Sequence, residues 1–187
     1  LRTLFNMERR GVRIDIEKLK EMQKRAEKDL EDLHYRMVEI AGVEFNPSSN
    51  QQLAELLFGY KKVNKNAEFV GNVDILECSF NFPIQSTTSK GTPQTGDSVL
   101  KALSKLNYKK DKRKKEGVEL IKLLLKYKKL NKLKTSFMDG LLKQIYPDGK
   151  VHPTFNIVGT DSGRLSCQEP NLQQLPRPVE LDMYLSF

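Results

Sequence analysis

The amino-acid sequence predicts a mainly α (α+β) fold, in which two long helices pair and a short extended stretch follows them. Three observations predict it. Apolar residues at Ala26, Leu30, Leu33, Met37 and Ile40 recur in steps of 4, 3, 4 and 3, the seam of a helix that packs on another long helix. A second apolar pattern runs from about Val118 to Ile145, and after the turn Tyr146-Pro147-Asp148-Gly149 residues 150 to 158 read as extended. With 187 residues, 38% of them hydrophobic, the chain can bury one sizeable core or two small ones.

In chain order, Arg10-Gly11-Val12 reads as a turn after a short opening segment, and Asp15 caps a helix that opens with Ile16, Glu17 and Lys18. Gly42 ends that helix. Ser49 followed three residues later by Gln52 makes a capping box for a helix carrying Leu53, Leu56, Leu57 and Phe58, which stops near Gly59. Residues 60 to 96 scatter Val70, Val73, Ile75, Phe80 and Phe82 among Gly, Asn, Ser, Thr and Pro, and read as an irregular loop with a small hairpin. Asp97 caps a short helix through Val99, Leu100, Leu103 and Leu106. In the long second helix, spanning about 42 Å, the early stripe (Val118, Ile121, Leu125) and the later one (Leu130, Leu133, Phe137, Leu141) point in different directions. The helix must therefore bend or change packing partner midway, and Gly140 weakens its end.

Several function classes are excluded at this level. The longest apolar runs are of the size of Leu123 to Leu125, far below the roughly 18 residues of a membrane helix, and the opening residues do not read as the h-region of a signal peptide. A soluble protein is expected. Cys78 and Cys167 have no second thiol or histidine beside them, which supports neither zinc nor a disulfide framework and suits a reducing compartment. His34 and His152 lack an adjacent Ser or Cys suited to a triad and read as structural. Glu180 and Asp182 are rejected as metal ligands, and no phosphate-binding glycine loop or dinucleotide fingerprint occurs.

Charge is the most informative property. The formal net charge is +8, yet residues 101 to 134 hold 14 Lys and Arg against three acidic residues, a net +11, so the rest of the chain is slightly negative. A positive field raised by one segment suits a surface facing a polyanion, although lysines on a solvated helix face give the same count. Lys122, Lys126, Lys129 and Lys132 follow helical spacing beside the apolar stripe. Lys128, Lys129, Lys132 and Lys134 are the candidates for phosphate binding, with Thr135 and Ser136 as hydroxyl donors. Asn46, Ser48, Ser49 and Asn50 lie at a helix start, where free N–H groups and the positive dipole end favour a phosphate; plain capping explains the same residues.

Residues 160 to 176, Thr-Asp-Ser-Gly-Arg-Leu-Ser-Cys-Gln-Glu-Pro-Asn-Leu-Gln-Gln-Leu-Pro, fit neither helical nor strand periodicity. This run resembles the Thr-Gly-Arg-Leu-Ser...Pro-Asn-Leu-Gln-Asn-Ile-Pro signature of family A DNA polymerases, the bacterial DNA polymerase I type shared with many phages. Three further stretches resemble the same family in the same order: Met7 to Asp15, Phe45 to Phe58, and Tyr127 to Phe137.

The resemblance implies the thumb of such an enzyme over residues 1–146, a long antiparallel helical hairpin with 60–96 as an irregular insertion, followed at 147–187 by the β-containing edge of the palm. It implies that Arg164 reaches the primer-terminal pair, and that Gln173 and Gln174 reach the pairs behind it. Purine N3 and pyrimidine O2 are minor-groove acceptors in every Watson-Crick pair, so such donors check pair shape without reading sequence. The family usually has Asn where Gln174 stands, and Asp161 and Ser162 also depart from its commoner pattern.

The family's metal-binding aspartates sit in motifs around Asp-Tyr-Ser-Gln and His-Asp-Glu that do not occur here. The chain is thus expected to be part of a longer DNA-directed DNA polymerase, binding primer-template duplex but not catalytic alone, with Mg2+ serving the parent enzyme. Its other expected partners are the remaining palm, the fingers, an exonuclease domain and an accessory factor at 60–96. The expected location is the cytoplasm, at a bacterial nucleoid or in a phage-infected cell. The competing reading is a non-catalytic basic helical module that binds nucleic acid or protein, indifferent to Arg164 and Gln173.

Overall fold

Two long helices carry the structure, as the apolar seam requires. The computed structural model describes residues 2–63, 70–108, 111–159 and 163–175. Helix α1 (Arg2–Arg10) and strand β1 (Val12–Arg13) precede the first long helix, α2 (Ile16–Ala41). Asp15 caps α2, its carboxylate accepting from the Lys18 N–H at 3.1 Å. The helix stops at Gly42, whose φ of +78° is the left-handed conformation that glycine adopts without strain.

Helices α3 (Asn50–Phe58), α4 (Val73–Glu77), α5 (Asp97–Ser104) and the second long helix α6 (Lys112–Leu133) follow. A π-helical turn, Lys134–Asp139, and the short α7 (Gly140–Leu142) complete the helical part. Strand β2 (Lys150–Val151) pairs antiparallel with β1, Val12 opposite Val151. Strands β3 (Thr154–Asn156) and β4 (Ser166–Gln168) form a second antiparallel pair with Phe155 opposite Cys167, and a 3-10 turn covers Leu172–Gln174. Among the described residues no helix is long and apolar enough to cross a membrane.

The described residues of Leu1–Asp29 and Leu130–Phe187 form one compact unit, and those of Leu30–Lys129 another. In the second unit α2, α3, α4, α5 and α6 share one core, in which Met37, Leu56, Ile75, Phe80, Leu100 and Leu124 are each at most 2% exposed. Arg113, the second residue of α6, donates to the carbonyls of Ile40 (3.1 Å), Ala41 (2.8 Å) and Cys78 (2.6 Å), so the start of α6 lies at the end of α2. In the first unit Gln23 bonds Asp139 and Glu27 pairs with Lys134, which is the same antiparallel sense.

Several local expectations are corrected. The opening segment, to which the sequence assigns no element, is helical, and Glu8 ties it to residues far along the chain: its carboxylate accepts from the Phe155 N–H at 2.6 Å, and its carbonyl lies 2.8 Å from His152 Nδ1. The capping box at α3 is a variant. Ser49 Oγ accepts from the Gln52 N–H at 3.4 Å, but the Gln52 amide oxygen reaches back to the Asn46 N–H (2.6 Å), since the Ser49 N–H is taken by the Asn46 carbonyl. Asp97 lies in the first turn of α5 rather than capping it, and the cap residue is Gly96.

Within 60–96, helix α4 forms on its Asn72 cap, and Thr87 bridges Pro93 in the small hairpin. The second long helix starts at Lys112 and changes character at Lys134, where the two apolar stripes diverge. Thr135 contributes to that change by donating its hydroxyl to the Asn131 carbonyl at 2.8 Å, in competition with the helical ladder.

Gly117 is the one place on α6 where the core permits no side chain: a Cβ would lie 2.7 Å from the Phe80 ring and 2.8 Å from that of Phe82. Both rings are buried, at 2% and 3% exposure. Gly117→Ala should therefore destabilise the protein by about 1–3 kcal/mol from overpacking, outweighing the roughly 1 kcal/mol gained in helix propensity. Arg113→Met, which orphans three carbonyls, should cost about 2–3 kcal/mol. Urea denaturation midpoints check both values.

Candidate nucleic-acid interface

The lysines of α6 and its π-helical turn divide into those the fold uses and those it leaves at the surface. In the unit of residues 30–129, Lys128 is partly buried and donates to the Thr95 carbonyl at 2.9 Å. Burial pushes its ammonium below the ordinary lysine value, and the nearby Asp97 charge opposes the shift. Thr95, only 4% exposed, donates its hydroxyl to the Asn50 side chain at 2.9 Å. Thr95 thus joins two of the predicted phosphate ligands, Lys128 and Asn50, in an internal network. No periodicity around Thr95 marks it in the sequence.

At the start of α3 the turn before the helix is bonded within itself, and Ser49 caps the Gln52 N–H. Ser48 N–H donates to Asn46 Oδ1 at 2.9 Å, and the N–H groups of Asn46, Ser49 and Gln52 are taken as described above. The side chains of Asn46, Ser48 and Asn50 remain exposed, and that of Ser49 is half-buried. Lys129 is exposed on α6.

In the other unit, Lys132 is exposed and makes no ion pair among the described residues. Thr135 and Ser136 are exposed in the π-helical turn that follows, an irregularity frequent at functional sites. Lys134 turns inward instead. Its side chain is 18% exposed and pairs with Asp139 at 3.1 Å and Glu27 at 3.2 Å. Asp139 in turn accepts from the Gln23 side chain at 2.7 Å. The hydrogen bond to Asp139 holds the Lys134 ammonium above the ordinary lysine value; burial opposes this and Glu27 adds to it. Lys134, predicted as a phosphate ligand, is an internal cation here.

Arg164 is exposed two residues before β4, just after Gly163 with its φ of +69°. Gln173 and Gln174 are exposed in the 3-10 turn beyond that strand. The Gln173 side chain donates to the Leu165 carbonyl at 3.1 Å, which fastens this turn beside Arg164. The structure thus brings Arg164 and Gln173 to one edge of the β3–β4 pair. Asp161 and Ser162 lie outside the described residues, as do Glu180 and Asp182.

His34 and His152 each face a backbone carbonyl, of Phe45 at 3.0 Å and of Glu8 at 2.8 Å. Among the described residues no three His, Cys, Asp or Glu side chains converge where they could hold a metal ion.

The chain belongs to DNA polymerase family A, whose family profile matches residues 16–183. It is 33% identical over 178 residues to DNA polymerase I of Geobacillus stearothermophilus, covering 95% of this chain and 17% of that protein. Against the thermostable DNA polymerase I of Thermus filiformis the identity is 32% over 176 residues, covering 94% of this chain and 18% of the relative. The chain therefore spans less than a fifth of the length of these curated relatives. Among solved structures it is similar to the POL domain of Pol1 from M. smegmatis in complex with DNA primer-template and dNTP. The TM-score is 0.72 at 27% identity, over 98% of this chain and 27% of that one.

The Lys134 network gives a prediction with a definite sign. Lys134→Met should lower stability by about 1–2 kcal/mol at neutral pH. Because the folded-state pKa is raised, the stabilisation is complete below the unfolded value, about 10.4, and is lost as pH rises through the folded one. Urea unfolding of wild type and Lys134→Met should show a constant difference from about pH 7 to 9 that shrinks at more alkaline pH.

Proposed function

We propose that this chain is the part of a DNA-directed DNA polymerase that grips primer-template duplex during template-directed synthesis, binding DNA without catalysing nucleotide addition by itself. In this reading residues 1–146 are the thumb and 147–187 begin the palm. Lys129 and Lys132, with Thr135 and Ser136, meet backbone phosphates, while Arg164, Gln173 and Gln174 meet the minor groove near the primer terminus.

The observation that carries the reading is the edge where Gln173 is fastened beside the exposed Arg164. Two donors at one edge suit the acceptors that every base pair shows in the minor groove. Lys128 and Lys134 are bonded internally and are left out of the phosphate-binding set. The Mg2+ that such chemistry uses finds no ligand set among the described residues, so no metal step is assigned to them. The proposed place of action is DNA in the cytoplasm of a bacterial or phage-infected cell.

The test is binding of the chain to a labelled primer-template and to the matching single strand across a salt series. Wild type should prefer the duplex, with affinity falling steeply with salt. Lys132→Ala should make the log–log salt slope shallower by about 0.9. Arg164→Ala should weaken binding of the primer-template by about 1–3 kcal/mol with little further change of slope. Equal binding of both nucleic acids and indifference to Arg164 would instead favour a basic helical module.

A further inference from the structure

The β3–β4 pair beside which Arg164 and Gln173 stand has three residues in each strand, and a two-stranded ribbon of that size does not hold its shape in water by itself. It buries little. Cys167 is 2% exposed, but Phe155 opposite it is half-buried, and Thr154 and Asn156 are exposed. A contact from outside the pair must therefore fix where the strands lie.

That contact comes from α1. The Glu8 carboxylate accepts the Phe155 N–H at 2.6 Å, across 147 positions of sequence. Because this N–H turns to Glu8, the ladder from β3 to β4 runs through the residues on either side of Phe155. The carboxylate thus occupies the outer edge of β3, where no further strand pairs among the described residues. Among those residues it makes the one hydrogen bond that joins either strand to a helix. Glu8 is half-buried and forms no ion pair among the described residues, so its charge is directed at a backbone donor, in a bond about twice as strong as a neutral one. The Glu8 carbonyl also faces His152 Nδ1 at 2.8 Å, and the other ring nitrogen faces the Asp148 carboxylate at 3.2 Å. One residue of α1 thereby grips the chain on both sides of Pro153.

We propose that Glu8 is a positioning residue for the minor-groove edge, which seats β3 and through the β3–β4 register sets where Arg164 and Gln173 stand. The inference rests on the reading that these two side chains meet the base pairs at the primer terminus. The route from Glu8 is short. The Phe155 N–H fixes β3, the pairing of Phe155 with Cys167 fixes β4, the Ser166 hydroxyl bonds the Asn156 carbonyl at 3.4 Å, and Leu165, next to Arg164, takes the Gln173 side chain at 3.1 Å. A shift of β3 moves both donors together, whereas Lys132, Thr135 and Ser136 belong to other elements.

The test measures the affinity of the chain for primer-templates with a matched and with a mispaired terminal pair over a salt series. The forms compared are wild type, Glu8→Ala, Glu8→Gln, Arg164→Ala and the double variant Glu8→Ala/Arg164→Ala. Wild type should prefer the matched end. Glu8→Ala should weaken binding of the matched end about 5- to 10-fold, with an unchanged salt slope and a preference lowered toward that of Arg164→Ala. In the Arg164→Ala background it should cost less than about twofold more. Glu8→Gln, whose amide oxygen still accepts the Phe155 N–H, should retain most of the wild-type affinity. Amide hydrogen exchange in Glu8→Ala should accelerate at Phe155 and over Leu165–Gln174 and stay unchanged in α6. Glu8→Asp, which keeps the charge but shortens the reach by one methylene, takes the place of Glu8→Ala if that variant does not fold, with the same expected directions. An equal loss with and without Arg164, or unchanged affinity and exchange in the folded variant, overturns this inference and leaves the proposed function standing. Failure of wild type to distinguish the two ends, or indifference to Arg164→Ala, overturns both.

Discussion

The guanidinium of Arg113 is the constraint on which the unit of residues 30–129 most depends. A long helix ends with carbonyls that have no partner within it and with the negative end of its dipole. At the end of α2, Arg113 supplies donors to Ile40 and Ala41 and uses the same fork to hold the Cys78 carbonyl. Its plane lies 4.1 Å from the centre of the Phe80 ring. One side chain on α6 therefore ends α2, anchors the segment after α4 and covers a core aromatic. The ion pair with Glu116, at 3.7 Å and partly exposed, contributes less.

The same economy governs the rest of the positive charge. A run with a net charge of +11 repels itself, and the fold disperses that cost by giving several of its members internal work. Lys128 gives up exposure to hold Thr95, and Lys134 joins Glu27 and Asp139 across the turn where α6 ends. What remains on the surface are lysines such as Lys122, Lys129 and Lys132.

Much of the fold was legible in the sequence where the signal is local. The 4-3-4-3 seam, the Asp15 cap and the Gly42 stop predict α2 to the residue, because helix ends and faces depend on neighbours within one or two turns. The diverging apolar stripes foretell the irregularity at Lys134 without its π-helical form. Helix α1 and the Thr95 network were not legible. Glu8 finds its partners at His152 and Phe155, and Lys128 finds Thr95 33 positions earlier, distances in sequence that no window spans. Gln52 shows the same limit at short range: its residue type suits a capping box, but which N–H it reaches depends on how the Asn46 turn closes.

For the site, the sequence by itself determined the chemistry on offer: the basic segment, the hydroxyls at 135 and 136, and the Arg-Leu-Ser to Gln-Gln run. These are properties of residue type and spacing, and they survive in any packing. Only the tertiary structure decided which of these groups face solvent. Lys132 and Lys134 are two residues apart, yet one is exposed and the other sits between two carboxylates, because the turn after α6 rotates one ammonium toward α2. Whether a lysine is a ligand or a strut depends on what lies across from it, and that is set by contacts between distant parts of the chain.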